Sequence, residues 1–306
     1  MVKLRNAYYC NLKLLLIFLV VFGHLIEPQI SANPWLYRLY RLIYLFHIPL
    51  FAFVSGLFLD SAAGCLRQLR RMAPLYLLCQ SAAVLLGQTV WHTPWWVLWY
   101  LLSLCFWLLL STLFLHWGRG NWWFLGLCVA IACLAGRISW VGRPFSLSRT
   151  LVFFPWFWLG VSLKPDLPWA KLRPLTLPAL LLISPDISPV LLYQAGPCPP
   201  LLRLKCYGIA LALGLLVLSW CPRRRFPWTR AGADTLPAYL LHAPLAFFLR
   251  QLPHPLLTTA FFLYLTYKLA QWQNTFGIIG KEDPPWPDLK NCTKPTASRS
   301  TGSSCP

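Results

Sequence analysis

The stretch KLLLIFLVVFGHLIEP spans residues 13–28, an apolar run with Lys13 at one end and His24 and Glu27 at the other. A helix turns about 100° and rises about 1.5 Å per residue. Eleven steps therefore return His24 to about 20° from Lys13, roughly 16 Å further along the axis. Glu27 follows His24 at i+3, a helical neighbour able to accept a hydrogen bond from the imidazole. This face is expected to address one pore or cleft from both ends. Titratable groups are costly inside a bilayer, so an intramembrane Lys/His/Glu set marks a functional site.

Composition sets the surroundings of that helix. The 306 residues are 58% hydrophobic and only 11% charged, with a mean hydropathy of +0.56. A soluble domain carries roughly 25% charge and could not dissolve with this surface. Tryptophans gather at the ends of apolar runs (Trp95, Trp96, Trp99, Trp122, Trp123), as in the aromatic belts at headgroup level. The apolar runs are continuous rather than alternating, which excludes a β-barrel. The expected fold is an all-α polytopic membrane protein of about ten transmembrane helices over residues 1–272. Residues 273–306, rich in Pro, Ser, Thr and Lys, are expected to form a disordered cytoplasmic tail.

The expected spans are 12–27, 38–59, 74–90, 95–115, 122–136, 150–163, 174–193, 204–220, 235–250 and 257–272. With the N-terminus in the cytoplasm, 19 of the 27 Lys and Arg fall on that side. The other eight are Arg38, Arg41, Arg137, Arg143, Arg149, Arg203, Lys205 and Arg250. This bias obeys the positive-inside rule, so the net charge of +19 reports topology and not a nucleic-acid partner. The basic clusters at 164–173 and 223–230 both belong in the cytoplasm, so an even number of crossings separates them. One is 204–220. The other must be the proline-broken 174–193 segment, tolerable where neighbouring helices or a wet cavity satisfy its freed carbonyls.

Eleven cysteines show no metal spacing and no disulfide framework, and most lie in apolar runs as small hydrophobes. The N-terminus has the basic start of a signal peptide. It lacks a small-residue cleavage site, and His24 and Glu27 interrupt its apolar run, so it reads as a retained first span.

Further polar groups recur in or beside the spans. His47 stands in FHIPLFAFVSG (46–56), where it either serves a site or bonds backbone freed by Pro49. Arg149 opens the run SLSRTLVFFP (146–155), as a site cation or as an interfacial snorkelling arginine. His242 lies near the end of TLPAYLLHAP (235–244), with helix packing as its alternative role.

Taken together, these motifs resemble the acyltransferase 3 family of integral membrane O-acyltransferases. Lys13-x10-His24 is similar to that family's Lys/Arg-x10-His signature, and FHIPLFAFVSG to its second-helix motif. LWYLLSL (98–104), SLSRTLVFFPWFWLG (146–160) and TLPAYLLHAP look like later blocks, best matching the fucose 4-O-acetylase-like branch. The resemblance covers about residues 5–250 in order. Cys10 stands where relatives often carry an acid, and Pro237 interrupts the last block. The resemblance implies a ten-helix core that moves an acyl group, usually acetyl from cytoplasmic acetyl-CoA, onto carbohydrate hydroxyls.

The residues suit that chemistry. A sugar hydroxyl needs a base to remove its proton as it attacks a thioester. His24 is the expected base, oriented by Glu27 as in triad logic. Arg149 is expected to stabilise the oxyanion and Lys13 to contact the phosphates of CoA. His47 and His242 are expected to bind substrate, with no metal. The expected partners are acetyl-CoA, a carbohydrate or lipid-linked glycan acceptor and membrane lipids, in a bacterial inner or plasma membrane. A second reading makes the Lys13/His24/Glu27 face the path of a proton-coupled transporter, although the inverted repeats of many transporters are not visible. A third is an inactive membrane scaffold, suggested by the irregular 184–200 stretch.

Overall fold

The computed structural model describes residues 7–117, 121–138, 141–163, 167–174, 176, 188, 192, 198–252 and 254–275. Among the described residues the chain forms nine α-helices and no strand. They are α1 (Ala7–Ile26), α2 (Pro34–Leu57), α3 (Ala62–Leu85), α4 (Trp99–Phe114), α5 (Trp122–Leu134), α6 (Leu147–Ser162), α7 (Pro200–Trp220), α8 (Leu236–Leu249) and α9 (Pro255–Thr275).

Local chemistry starts several of these helices. The Asn33 side chain accepts from Trp35 N and Leu36 N at 3.0 and 3.2 Å, with Pro34 pre-set for the first turn of α2. Ser61 caps α3 through Gly64 N, and Asn121 caps α5 through Phe124 N. Pro237 departs from the expectation that it interrupts its block: it stands in the first turn of α8, where a missing N–H costs nothing.

Among the described residues, four helical stretches are long and apolar enough to cross a membrane: Ala7–Gln29, Pro34–Leu57, Trp96–Phe114 and Pro200–Trp220. The other expected spans are not among these four. Crossing a hydrocarbon core of about 30 Å takes about 20 apolar residues. Helices α5, α6 and α8 have 13, 16 and 14 residues. Arg67, Arg70 and Arg71 make the first half of α3 polar, and Thr258, Thr259, Thr266 and Lys268 dilute α9. The expected 174–193 crossing lies outside the described residues. So does most of the expected tail, although α9 runs on through Thr275.

Packing centres on α2, α4 and α6. At the α2–α6 crossing, a Cβ on Gly56 would strike the Phe157 carbonyl oxygen, and one on Gly160 the Phe53 carbonyl oxygen. The two backbones touch because each helix presents a glycine to the other. Polar side chains join α4 to α6: Ser103 Oγ lies 2.8 Å from Thr150 Oγ1, and Trp107 Nε1 donates to Thr150 O at 2.9 Å. Phe153, Phe157, Trp107 and Trp158 are fully buried around this seam.

One end of the bundle is tied by hydrogen bonds around the start of α1. Tyr8 Oη donates to Leu218 O, and Asn11 Nδ2 donates to Pro222 O and Arg224 O. Asn11 Oδ1 accepts from Thr229 Oγ1 at 2.7 Å, and Arg173 Nε donates to Ser219 O at 3.1 Å. The stretches 8–13, 169–173 and 218–233 are thus brought to the same end, as the charge bias expects. Helix α8 runs parallel to α1, since Lys13 reaches Ala233 and His24 reaches His242.

Candidate functional site

At the opposite end of the bundle, the last turn of α1 meets α8, α2 and the turn before α4. His24 and His242 stack with ring centroids 5.4 Å apart and planes 22° from parallel. Trp96 approaches the His24 ring edge-on at 5.0 Å, and Tyr44 does so at 6.2 Å with its Oη 3.3 Å from Nδ1. Glu27 Oε2 lies 3.5 Å from His24 Nδ1. Position i+3 achieves this because α1 tightens into a 3₁₀ turn over Glu27–Gln29, led by Pro28.

Arg250, just past the end of α8, closes the cluster. Its Nη2 donates to Glu27 Oε2 at 3.2 Å and its Nε to the His24 carbonyl at 3.0 Å. Its guanidinium carbon lies 4.9 Å from the Trp96 ring centroid. One residue therefore satisfies a carbonyl at the end of α1, holds the carboxylate beside His24 and packs on an aromatic face. Trp96 itself has φ 30°, a left-handed conformation costly for so bulky a residue and held only where the surroundings impose it.

The other two histidines are committed to backbone carbonyls. His47 Nδ1 lies 2.7 Å from Ile43 O, and His242 Nδ1 lies 2.6 Å from Tyr239 O. A carbonyl only accepts, so we assign the proton to Nδ1 in both, leaving Nε2 as the lone-pair atom. His47 does not take the Leu45 carbonyl that Pro49 frees; it takes that of Ile43. His242 is 1% exposed, and its Nε2 is buried with no hydrogen-bond partner among the described residues.

The expected site residues therefore divide. His24, Glu27 and His242 come together, and His47 joins them through Tyr44, whose ring lies 4.7 Å from the His47 ring. Lys13 does not share the cleft expected of it. Its Nζ donates to Ala233 O at 3.0 Å, near the basic 223–230 segment, by a crevice lined by Leu14, Ile17, Asp234, Thr235 and Tyr267. The two ends of the α1 face meet two ends of α8, with packed side chains between them. Arg149 lies over the Trp99 ring, 4.7 Å from its centroid, and Glu27 is bound by Arg250.

Tyr44, Trp96 and Arg250 were not legible as site residues. Two carry a retrospective signal: Tyr44 precedes His47 by three residues, and Arg250 follows His242 by eight, both near-repeats of a helix. Trp96 carries none, since only the fold of the turn before α4 aims it.

A partly exposed imidazole, 17% accessible at its side chain, with a carboxylate beside Nδ1 leaves Nε2 as the atom that takes a proton. No protein-family model, no curated protein and no solved structure matches this chain. Among the described residues no three His, Cys, Asp or Glu side chains form a metal-holding group.

Proposed function

We propose that this chain is a membrane O-acyltransferase, a relative of the acyltransferase 3 family, that moves an acetyl group from cytoplasmic acetyl-CoA to a hydroxyl of a cell-envelope or secreted carbohydrate. His24 is the general base. Glu27 orients its imidazole and stabilises the imidazolium formed as the hydroxyl attacks the thioester carbonyl. The C–O bond forms, the C–S bond breaks, and the proton passes from the hydroxyl through His24 Nε2 to the departing thiolate. In this reading Lys13, at the basic end, meets the CoA phosphates, and Arg149 acts on developing negative charge. Four membrane-crossing helices belong to a ten-crossing topology in a bacterial inner or plasma membrane.

The observation that carries this reading is the Glu27–His24 pair, 3.5 Å apart with Arg250 bonded to the same carboxylate oxygen. A carboxylate held by a cation orients a base better than a mobile one. Incubating membranes that contain the chain with radiolabelled acetyl-CoA and the host's own glycans tests it directly. Label transferred to glycan, and lost in His24→Ala, upholds the reading; no label above empty membranes overturns it.

One observation favours a second reading. His24, His242 and His47 lie within one aromatic cluster, and imidazoles in sequence also carry protons in proton-coupled transporters. Proton uptake by proteoliposomes without an acyl donor, dependent on His24 and His242, would favour that reading.

A further inference from the structure

Two polar valences of opposite kind remain open beside His24. The first is an acceptor: His242 Nε2, buried and unpartnered, on the ring stacked against His24. Buried polar atoms are almost always satisfied, so an orphan beside the partly exposed His24 ring marks a place for a donor from outside the protein. The second is a donor. Arg250 uses Nε on His24 O and Nη2 on Glu27, while its Nη1 makes no hydrogen bond among the described residues. The side chain is 29% exposed, and Nη1 is not among the buried unpartnered atoms of the described residues. A guanidinium with one edge fixed and one edge open is suited to an anionic oxygen, because a charge-assisted bond there costs little reorganisation.

The charge of this end of the molecule agrees. The eight Lys and Arg assigned away from the cytoplasm face few acids. Of the eight Asp and Glu, only Glu27 and Asp186 lie outside the cytoplasmic segments of that reading. Glu27 is already occupied by Arg250. A neutral ligand would gain nothing from such an excess, whereas an anionic one is drawn to it.

We infer that the His24 cleft takes a hydroxylated anion, a molecule whose hydroxyl donates to His242 Nε2 while a nearby carboxylate or phosphate accepts from Arg250 Nη1. For the proposed acetyl transfer, on which this inference builds, the acceptor is then an acidic sugar or a glycosyl phosphate rather than a neutral glycan. The same chemistry occurs in the headgroup of phosphatidylglycerol, so the test separates the sources.

The purified full chain, in phosphatidylcholine nanodiscs and without any acyl donor, is titrated with glucuronate, glucose 1-phosphate and glucose, and binding is read by saturation-transfer NMR. Both anions bind at least about tenfold more tightly than glucose, the scale of one charge-assisted hydrogen bond. Arg250→Gln removes that preference, and Arg250→Lys, which keeps the charge but loses the fork, restores part of it. Equal binding of glucose and glucuronate by the unaltered chain overturns the inference, whatever the folding of the variants. Competition by added phosphatidylglycerol upholds it with a lipid headgroup as source; absence of competition upholds it with a sugar as source. Because no acyl donor is present, anion preference without acetyl transfer leaves this inference standing and removes the enzyme. Transfer to neutral glycans does the reverse.

Discussion

Arg250 Nη2 and Glu27 Oε2 are 3.2 Å apart, joining the residue just past α8 to the turn that ends α1. The pair couples two parallel helices at the point where their histidines stack, so the orientation of His24 depends on a cation 226 residues away. A carboxylate alone would hydrogen-bond the imidazole and drift with the 3₁₀ turn. With Arg250 on its oxygen it is fixed from both sides.

His24→Ala should lower acetyl transfer by about 10²–10⁴-fold, the usual worth of general-base catalysis. Expression and CoA binding should stay near those of the unaltered chain. A residual rate above about a tenth, measured with labelled acetyl-CoA, would remove His24 from that role and promote the transporter reading.

Glu27→Gln should retain partial activity. Its amide oxygen keeps an acceptor beside His24 Nδ1, but the charge that would stabilise the imidazolium and that holds Arg250 is gone. The rate of Glu27→Gln is expected between those of the unaltered chain and His24→Ala; a rate equal to the unaltered chain's would make Glu27 a packing residue.

Lys13→Ala should weaken acetyl-CoA binding without unfolding the chain. It loses the hydrogen bond to Ala233 O and a point charge at the basic end of the bundle. Calorimetric titration of the purified protein measures this, and unchanged affinity would take Lys13 out of the donor site.

Gly160→Ala and Gly56→Ala should each destabilise the fold by roughly 1–3 kcal/mol, the range for overpacking, because the added methyl meets backbone that cannot swing aside. Gly126→Ala is the control, since a Cβ there meets nothing within 4 Å. Thermal melts in detergent should separate the two classes; three equal melting temperatures would contradict the close α2–α6 crossing.

Reporter fusions after Arg71, Arg173 and Arg230 should all read as cytoplasmic. The last two are bound to agree by structure, because Arg173 donates to Ser219 O while Thr229 bonds Asn11, next to Tyr8 and its bond to Leu218. An outward signal at Arg230 would mean that the 174–193 segment does not cross.

The sequence by itself determined that this is a helical chain with segments long and apolar enough to cross a membrane, because hydropathy over some twenty residues is a local property. It also determined the pairing of His24 with Glu27, since i+3 spacing on a helix suffices, and the gathering of 8–13, 169–173 and 218–233 at one end, since basic residues sort to one side. Span number was only partly legible: the apolar run at 235–250 reads as a span, yet α8 has 14 residues, and its length depends on turns formed with other segments. What only the tertiary structure decided is which cation serves His24. Lys13 shares a helix face with His24 but lies some three turns away along the axis, and a motif cannot shorten that distance. Arg250 is distant in sequence and becomes its neighbour because α8 packs parallel to α1 and ends level with it. Trp96, strained at φ 30°, reaches the same cleft through the turn before α4, which no helical periodicity encodes.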